Sequence, residues 1–513
     1  MEMRSDRERF ALQYAEFFLF LVLWLGLLLA GRSAMLRDPG SFWHVAAGEK
    51  MLADGRAVRD DPFSFTFAGR PWVADQWLAE CGMAIVHRLA GWDGLLLLAA
   101  TLLAAIYACI AGRLFRAGLH ILPTCLLLAL VLLAGSPQFH VRPLVLTIGL
   151  LSLTLAWLVD VEAGRKRLRQ LWWLAPLFVF WVNVHGGVLA GMGTVGLCVL
   201  GWCIAWALGK DSPIRQPRDA VEAALLLLAL VAVSLLNPYG LALPREWLAT
   251  LTMPLPSIIE EHARLDMTDP AGWATLALAA GYLAVLIGVF PKHPRITWLL
   301  PAVWFILAVQ RVRNASLFAV VVAVVLIDVL PYSRIGRWLQ SREMFSSPRP
   351  PAGWRPAVLS LVIVVAAAAI QLAGIDLPIV GRDWARFDLA RWPVELLPKL
   401  TEINRSNPDG ARIFNDLNFG GFLIYHAPRL KVFIDDRCSL YGADFLQAYD
   451  HARTDDPAQI DRWQQQYGFG YALVEAGGRF DRYLSTSSHW SSLGRTPAAT
   501  LYEHRLGVPQ SVR

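Results

Sequence analysis

The residues best suited to chemistry lie in the segment 32–92, which separates the first two apolar runs of the chain. A loop that only joined two membrane helices would need about ten residues. Carboxylates can accept a proton or hold a divalent cation, and acids set among aromatic side chains at a membrane surface indicate a site rather than a connection. We therefore expect chemistry at this loop, whose acidic, imidazole and indole side chains are Asp38, His44, Asp60, Asp61, Asp75, Glu80, Trp43, Trp72 and Trp77.

The composition places this loop beside a membrane. Of the 513 residues, 56% are hydrophobic and 17% are charged, and the mean hydropathy is +0.43. These values are typical of a multi-spanning membrane protein. The net charge of +6 comes from basic residues that fall between apolar segments, which is the pattern of a topology signal, so we expect no nucleic-acid partner.

Two further sequence features limit the possibilities. The N-terminal segment has a basic start, an apolar run of about twenty residues and no small-residue cleavage site, so it predicts a retained helix rather than a signal peptide. The cysteines have no paired spacing, and they predict neither a zinc site nor a disulfide framework. They are Cys81, Cys109, Cys125, Cys198, Cys203 and Cys438.

The apolar segments predict an integral membrane α-helical bundle with about eleven crossings. Residues 296–331 would form a helix about 53 Å long at 1.5 Å per residue, against a bilayer core near 30 Å, so the polar residues 311–314 must separate two spans. The same reasoning divides 169–208 at 183–187. The predicted spans are 11–31, 93–112, 119–135, 142–160, 169–183, 187–208, 219–236, 272–290, 296–310, 314–331 and 356–374.

Basic residues predict the orientation of the bundle. With the N-terminus in the cytoplasm, every cluster of Lys and Arg between spans falls on the cytoplasmic side, and the opposite short turns contain almost none. An odd number of crossings then places the first loop, 32–92, and everything after about residue 375 outside the cytoplasm. The proline-rich stretch 346–356 is interpreted as a cytoplasmic linker.

The tail is predicted to be a separate folded unit. Residues 1–375 form the transmembrane domain, and 376–513 form an extracytoplasmic α/β domain because short strand-like and helix-like segments alternate. The strands ARIF, KVFIDD, YALVEA and ATLYEHR are expected to make a mostly parallel sheet. Helices are expected near 384–404, 419–427, 443–453, 457–467 and 480–486.

Polar and charged groups from several loops converge on the predicted outer side. Guanidinium groups can bind phosphate, and carboxylates at the same depth can hold a divalent cation or accept a proton, which would suit a phosphate-bearing ligand at the outer leaflet. Besides the first loop, these groups lie at Gln138, His140 and Arg142, at Asn183 and His185, in the segment 243–270, and at Arg311 and Arg313.

Each of these residues also has a purely structural interpretation. Arg142, Arg311 and Arg313 would reach lipid headgroups with their long side chains. His185 would be a polar helix-breaking turn satisfied by the backbone. Asp38, before Pro39 and Gly40, would start a turn or cap the following helix, and Asp60 would be an ordinary turn residue. The functional interpretation therefore depends on co-location.

The first loop and the tail together resemble the GT-C glycosyltransferases, a superfamily of polytopic membrane proteins, and more distantly the catalytic subunits of oligosaccharyltransferases. In that superfamily the first external loop carries an acidic residue soon after the first span, often followed by Pro and aromatic residues. The segment RDPGSFWH supplies this pattern with Asp38, Pro39, Phe42, Trp43 and His44. The resemblance makes Asp38 the first catalytic candidate.

Two later segments extend the resemblance to oligosaccharyltransferases. Ser257, Ile258, Ile259 and Glu260 match a short Ser/Thr, Ile/Val, any residue, Glu motif in a later external loop. The segment 414–437 is similar in order and spacing to the start of their external domain. There the paired tryptophans that would build a pocket for an Asn-X-Ser/Thr acceptor are absent.

The resemblance implies transfer of a sugar from a polyprenyl-phosphate-linked donor to a glycan or protein acceptor outside a bacterial cytoplasmic (inner) membrane, by an inverting mechanism. Asp38 would be the base, arginines or a bound Mg²⁺ or Mn²⁺ would stabilise the leaving phosphate, and apolar grooves between spans would hold the isoprenoid chain in membrane lipid. Asp38 and Glu260 would be the metal ligands. The expected substrate-binding residues are His44, Asp61, Arg142, His185, Glu260, Arg311 and Arg313.

Two other classes of function remain open at the sequence level. The same acids and arginines would let a transporter or flippase bind a lipid-linked saccharide without bond-making, although the two halves of the chain show no repeat of the kind that transporters often have. A non-catalytic envelope-assembly component would use the tail to bind a partner. The large acid-rich first loop favours an enzyme.

Overall fold

The computed structural model describes residues 2–255, 259, 263–289, 294–346, 348 and 353–505, with side chains from Tyr14 onward. In this part of the chain, helices occupy most of the segment before residue 373. They are α1 (Glu2–Leu29), α2 (Gly40–Asp54), α3 (Trp77–Ala117), α4 (Ile121–Gly135), α5 (Leu144–Glu162), α6 (Leu174–Val184), α7 (Val188–Ala207), α8 (Pro217–Val233), α9 (Ala242–Thr252), α10 (Pro270–Ile287), α11 (Leu300–Gln310), α12 (Ala315–Val329), α13 (Arg334–Ser341) and α14 (Arg355–Leu372).

Each of the eleven predicted spans overlaps a helix, which confirms the predicted multi-span helical bundle. Among the described residues, 7 helical segments are long and apolar enough to cross a membrane, and two shorter apolar segments, Tyr14–Leu29 and Ile296–Gln310, accompany them. The count of eleven crossings and the orientation therefore stay predictions. The seven segments are Trp77–Ala117, Ile121–Gln138, Leu144–Glu162, Val188–Ala207, Pro270–Ile287, Val312–Tyr332 and Arg355–Leu372.

Both predicted helix breaks are present. At Arg311 the backbone is extended, with φ −145° and ψ 118°, so α11 ends and a short 3₁₀ turn leads into α12. At His185 the backbone is also extended, with φ −168° and ψ 138°, and it separates α6 from α7. Each break leaves polar side chains at one end of the bundle, which we call the site end.

Helix α12 is the centre of the bundle. Its sequence is apolar on all faces, which is the pattern of a helix surrounded by protein, and it packs against α4, α5, α10 and α11. Its last turn, at the end opposite the site end, carries the buried Asp328. This carboxylate accepts hydrogen bonds from Trp298 Nε1 at 2.9 Å and Arg165 Nη1 at 2.8 Å and is ion-paired with Arg295.

The first loop is a compact structure over the site end. Helix α2 begins directly after Asp38 and Pro39, and the chain returns through the first part of α3 before that helix bends at Ala90 and Gly91. Gly91 has φ 60° and ψ −156°, a conformation that is strained for residues with a side chain. The bend coincides with the predicted end of the loop. Gly48 lets α2 touch α3, since a β-carbon there would lie 2.0 Å from the Glu80 carbonyl oxygen.

The tail forms an α/β domain with a five-stranded mixed sheet in the order β2-β1-β3-β5-β4. β1 pairs in parallel with β2 and β3, whereas β5 is antiparallel to both β3 and β4. The elements are β1 (Ala411–Asn415), β2 (Leu430–Val432), β3 (Tyr471–Glu475), β4 (Trp490–Arg495) and β5 (Ala499–His504), with helices α15 (Leu397–Ser406), α16 (Gly420–His426), α17 (Cys438–Thr454), α18 (Gln459–Tyr467) and α19 (Arg479–Thr486).

Two details of the predicted tail were wrong. The sheet is not mostly parallel, because the polar segment 490–495 forms an unpredicted strand, and the short link from β4 to β5 permits only an antiparallel hairpin. The helix predicted from residue 384 begins only at Leu397. The backbone N–H groups of Trp384 and Ala385 instead donate to Asp93 of α3, at 3.1 and 2.8 Å, which holds this stretch extended against the bundle.

The first loop and the tail share one aromatic core. Phe42 of α2 lies between Trp92 of α3 and Trp392 and Phe422 of the tail, with ring centroids 5.0, 4.9 and 5.5 Å away. The loop also pairs with the edge of the sheet, because Phe65 N donates to Val432 O at 3.1 Å and Val432 N donates to Phe63 O at 3.2 Å. This contact covers the β2 edge of the sheet and joins segments far apart in sequence.

Candidate active site

A cavity of about 320 Å³ lies where the first loop, the site end of the bundle and the tail meet. Its walls come from all three parts of the molecule, and they contain acids and arginines together with tryptophans. The charged or titratable side chains of its lining include Asp38, Asp75, Arg142, His185, Glu246, Arg311, Arg313, Arg391, Asp436 and Arg437. Carboxylates and guanidiniums from distant parts of the sequence therefore line one cavity.

Asp38 is fixed at the N-terminus of α2. Its Oδ1 accepts the backbone N–H of Gly40 at 2.7 Å, and its Oδ2 accepts from Arg142 Nη1 at 2.8 Å. Burial alone would raise the pKa of Asp38, but the positive charge of Arg142, aided by His140, holds this pKa below its usual value. Asp38 is thus both the turn residue of the structural interpretation and a carboxylate in the cavity wall that is ionised at neutral pH.

Asp436 faces Asp38 across Gly40. The position that a β-carbon on Gly40 would take is 2.8 Å from Asp38 Oδ1 and 3.0 Å from Asp436 Oδ2. Trp43 Nε1 donates to Asp436 Oδ1 at 2.7 Å. Burial and the charge of Asp38 raise the pKa of Asp436 to about 7, against the opposing charge of Arg142. The two carboxylates therefore titrate differently, as in paired acids that share a proton.

Sequence reasoning did not select Asp436. Its segment, FIDDR, was noted as the end of a predicted strand and of the segment 414–437 that carries the resemblance, and nothing in a single sequence reports that residue 436 meets residue 38. The available signal was two acids and an arginine directly after a buried strand, where side chains often leave the sheet to form sites.

The neighbours of Asp436 on both sides have a structural role. Arg437 is buried between Asp435 and Asp61, with Nη2 to Asp435 Oδ2 and Nη1 to Asp61 Oδ1 both at 2.7 Å. Its guanidinium also lies 4.5 Å from the ring centroid of Trp72. Asp61, an expected substrate-binding residue, is outside the cavity lining and instead ties the first loop to the tail.

His44 is likewise behind the cavity wall. Its ring is fully buried between α2 and α3, and Nδ1 lies 3.0 Å from Glu80 Oε1. Burial, supported by the charge of Arg142, holds the pKa of His44 well below its usual value, so the imidazole is neutral. The structure therefore does not bring His44 into the cavity with Asp38.

His185 does line the cavity. Its Nδ1 accepts the backbone N–H of Gly187 at 2.9 Å and contacts Thr147 Oγ1 at 2.9 Å, so the ring proton is assigned to Nε2. Trp181 Nε1 donates to the same threonine at 2.9 Å and fixes this arrangement. Burial and the charges of Arg313 and Arg142 hold the pKa of His185 well below its usual value.

The expected phosphate-binding arginines come together at this cavity. Arg142, Arg311 and Arg313 all line it, and Arg311 Nη2 donates to the carbonyl of Leu251 at 3.2 Å. Arg391, from the start of the tail, is a further lining cation that sequence reasoning did not select. Glu260 lies outside the described residues, so its predicted position is not tested.

A second polar cluster occupies the cavity beside Gly186, and it contains Asp75 and Gln76 of the first loop and Glu246 and Trp247 of α9. The side chain of Gln76 is hydrogen-bonded to Asp75. Burial and the charge of Glu246 raise the pKa of Asp75 to about 6, against the opposing charge of Arg313. Sequence reasoning named Asp75 within the acidic loop but did not place it in the site.

A metal centre would need several ligand side chains that lie close together. The described residues contain no group of three or more His, Cys, Asp or Glu side chains that would hold an ion. Asp38, one of the two expected ligands, has both oxygens engaged by Arg142 and by Gly40 N–H. Because Glu260 is outside this part of the chain, metal ligation by Asp38 and Glu260 stays a prediction.

This arrangement, a helical bundle with an α/β tail closing over its site end, is similar to the folds of solved structures. A structure of the archaeal oligosaccharyltransferase AglB from Archaeoglobus fulgidus, in complex with an inhibitory peptide and a dolichol-phosphate, matches with a TM-score of 0.57 at 10% identity, covering 92% of this chain and 70% of that one. ArnT from Cupriavidus metallidurans, bound to undecaprenyl phosphate, matches with a TM-score of 0.50 at 13% identity, covering 96% and 99%. These matches confirm the predicted fold.

At the level of sequence the comparisons found nothing. No protein-family model matches the chain, and no curated protein matches it. The assignment of the fold therefore depends on three-dimensional similarity alone.

Proposed function

We propose that this protein is a membrane glycosyltransferase that transfers a sugar from a polyprenyl-phosphate-linked donor to an acceptor outside the cytoplasm. The observation that carries the proposal is the meeting of Asp38, Asp436 and several arginines at one cavity beside the ends of the membrane helices. Support comes from the structures of AglB and ArnT, which have similar folds and contain dolichol-phosphate and undecaprenyl phosphate. The acceptor would be a glycan or a protein.

The proposed reaction needs a base for the acceptor proton and cations for the charge that develops on the leaving phosphate. An acceptor hydroxyl attacks the anomeric carbon, its proton passes to a carboxylate, and the bond from that carbon to the phosphate oxygen breaks. The electron pair remains on the polyprenyl phosphate, whose charge the cavity arginines stabilise. Attack on the face opposite the leaving group inverts the anomeric configuration.

Asp38 and Asp436 have different roles in the proposed proton transfer. Asp38 is held ionised by Arg142, so at neutral pH it contributes a fixed negative charge that stabilises the positive charge developing on the sugar ring. Asp436, with a pKa of about 7, can accept and release a proton near neutral pH. We therefore assign the acceptor proton to the Asp38–Asp436 pair, with Asp436 as the titrating member.

The remaining predicted residues take different roles in this proposal. Arg142, Arg311 and Arg313 bind the donor phosphate, and His185 donates from Nε2 to the same ligand. His44 and Asp61 do not contact the ligand in this proposal. They hold the cavity walls in place, His44 through its contact with Glu80 and Asp61 through its ion pair with Arg437. The protein would lie in a bacterial cytoplasmic membrane with its tail outside.

A divalent cation is a further part of the proposal, because Asp38 and Glu260 would be its ligands. The described residues supply no complete ligand set, so no step of the reaction is assigned to the ion. Treatment of membrane vesicles with EDTA tests it. Loss of transfer that Mg²⁺ or Mn²⁺ restores would establish a metal requirement, and an unchanged rate would exclude one.

The main test uses Asp38→Asn in cells that lack the native chain. A transferase that lacks the Asp38 carboxylate should accumulate the sugar-linked polyprenyl phosphate outside the cytoplasm. The corresponding sugar should be lost from an envelope glycan or protein. Mass spectrometry measures both changes. Asp60→Asn is the matched control, because Asp60 is an exposed carboxylate of the same loop. Normal glycosylation by Asp38→Asn protein that inserts normally would contradict the proposal.

The same experiment separates the other two classes of function. A flippase variant would accumulate the lipid-linked sugar at the cytoplasmic face, where a membrane-impermeant glycosidase cannot reach it in intact cells. An assembly component would change the envelope without raising the level of the lipid-linked sugar.

A further inference from the structure

The polar cluster beside Gly186 has an unused donor and an unused acceptor. Trp247 is 4% exposed, and its indole Nε1 has no hydrogen-bond partner among the described residues. In the same part of the chain Gln76 Oε1 also has no partner, although the side chain of Gln76 is hydrogen-bonded to Asp75. Buried polar atoms are normally satisfied, so two unpaired atoms on residues that line one cavity indicate a ligand that completes them.

Gly186 keeps this part of the cavity open. The position that a β-carbon would take on Gly186 is 3.1 Å from Asp75 Oδ2 and 3.1 Å from Trp247 Nε1. A methyl group there would press against both polar atoms, whereas glycine leaves that volume free.

The chemistry of the cluster differs from that of the arginine-rich wall. Asp75 and Glu246 would repel a phosphate, but carboxylate and amide oxygens accept hydrogen bonds from hydroxyl groups. A hydroxyl group both donates and accepts, so neighbouring hydroxyls on one ring would satisfy Asp75, Gln76 and the indole N–H together. A phosphate therefore suits the arginines, and a neutral polyhydroxylated ring suits this cluster.

We propose that Asp75, Gln76 and Trp247 form a sugar-binding subsite that recognises the hydroxyl groups of a neutral sugar ring. This inference rests on the proposed function and specifies which wall of the cavity holds the sugar. The ring belongs either to the lipid-linked donor or to a glycan acceptor, because both present the same hydroxyl chemistry.

The test measures binding to the purified full-length protein by calorimetry, with two sets of probes. The first set is citronellyl phosphate, alone and carrying mannose, glucose or N-acetylglucosamine. The second set is a panel of neutral oligosaccharides. Wild-type protein should bind at least one sugar-bearing probe more tightly than its sugar-free counterpart, or bind at least one oligosaccharide.

Two variants remove the subsite by different means. Trp247→Phe deletes the indole N–H and keeps an aromatic ring, and Gly186→Ala covers the polar atoms without changing them. Each should weaken sugar-dependent binding by about five- to tenfold, the equivalent of one lost hydrogen bond, and leave the dissociation constant of citronellyl phosphate unchanged. The matched controls are Trp273→Phe, at an exposed tryptophan, and Gly193→Ala, where a β-carbon meets nothing within 4 Å.

The outcomes are distinguishable. An effect confined to the sugar-bearing lipids assigns the ring to the donor, and an effect confined to the oligosaccharides assigns it to the acceptor. Wild-type protein without sugar-dependent binding in either set, or variants that bind sugars like wild type, would overturn the subsite. Failure of wild-type protein to bind any citronellyl phosphate counts against the proposed function instead. In that case the oligosaccharide panel still tests the subsite.

Discussion

Two carboxylates in one cavity behave differently because their partners differ. Asp38 has a guanidinium and a backbone N–H on its two oxygens, so its charged form is stabilised. Asp436 has one indole N–H and lies close to the charge of Asp38, so its charged form is disfavoured. The chain thereby keeps one acid ionised and makes the other responsive near neutral pH.

The pH dependence of transfer should report Asp436. With a pKa of about 7, this carboxyl carries its proton below that pH and is ionised above it. If the ionised form accepts the acceptor proton, the rate rises with pH through about 7 with a one-proton slope. Asp436→Asn should lower the rate by about a hundredfold at pH 8 and remove this step. The rate is measured as consumption of the lipid that accumulates in the Asp38→Asn strain.

The control for this profile is Asp75→Asn, since burial raises the pKa of Asp75 to about 6. A step near pH 7 that survives Asp436→Asn and disappears in Asp75→Asn would show that the titrating group belongs to the second cluster.

Arg437 is expected to matter for stability more than for chemistry. Arg437→Met leaves Asp61 and Asp435 buried without their cation, which costs about 3–5 kcal/mol in similar cases. The thermal unfolding temperature should fall clearly, and protease should cut the first loop. Arg462→Met, which removes an exposed ion pair with Asp456, should cost about 1 kcal/mol or less. Equal effects of the two substitutions would contradict the proposed role of Arg437.

At the scale of elements, the contact between α2 and α16 sets the distance between the two acids. A β-carbon on Gly421 of α16 would lie 2.1 Å from the carbonyl oxygen of Pro39, directly beside Asp38. Only a residue without a side chain lets the tail approach this closely. Helix α16 leads into β2, and the segment after β2 carries Asp436, so the approach of α16 positions the second acid.

Gly421→Ala should therefore reduce transfer while the membrane helices remain folded. The added methyl group must push α16 away from Pro39, and a displacement of about 1 Å at a reaction centre can lower the rate about a hundredfold. Consumption of the donor lipid gives the rate, and detergent-solubilised protein should keep its elution profile. Gly82→Ala, a helical position where a β-carbon meets nothing within 4 Å, is the matched control. A normal rate for Gly421→Ala would separate this contact from the chemistry.

Helices and strands could be predicted well from local sequence patterns. The tertiary contacts between distant segments could not. Apolar runs located eleven of the fourteen helices described before residue 373, but not α2, α9 or α13. Arg311 and His185 marked two real breaks, because a span has a fixed length and polar residues end it. The same patterns grouped Asp38 with Arg142, Arg311 and Arg313. They missed Asp436, Trp247 and Arg391, since the packing of the tail on the loop depends on shape complementarity between distant segments.

At the scale of the whole molecule, the tail is a wall of the site and not an appendage. It supplies Asp436 to the cavity, and its sheet pairs with the first loop through Val432. Orientation across the membrane follows from charge alone at present, and it has a direct test.

The predicted orientation can be measured with single cysteines in a cysteine-free chain. Ser488→Cys, exposed in the tail, should react with a membrane-impermeant maleimide in intact cells. Ser341→Cys, exposed at the other end of the bundle, should react only after permeabilisation. The reverse pattern would place the cavity in the cytoplasm and contradict the proposed function.

The pairing of residue 38 with residue 436 also bears on how the protein is made. The first loop leaves the ribosome and reaches the far side of the bilayer long before the chain that completes its cavity has been synthesised. A nascent or prematurely terminated polypeptide would carry Asp38 and Arg142 but no Asp436, so it could not catalyse transfer. Translation itself would thus delay activity until the last strands of the tail have folded against the loop.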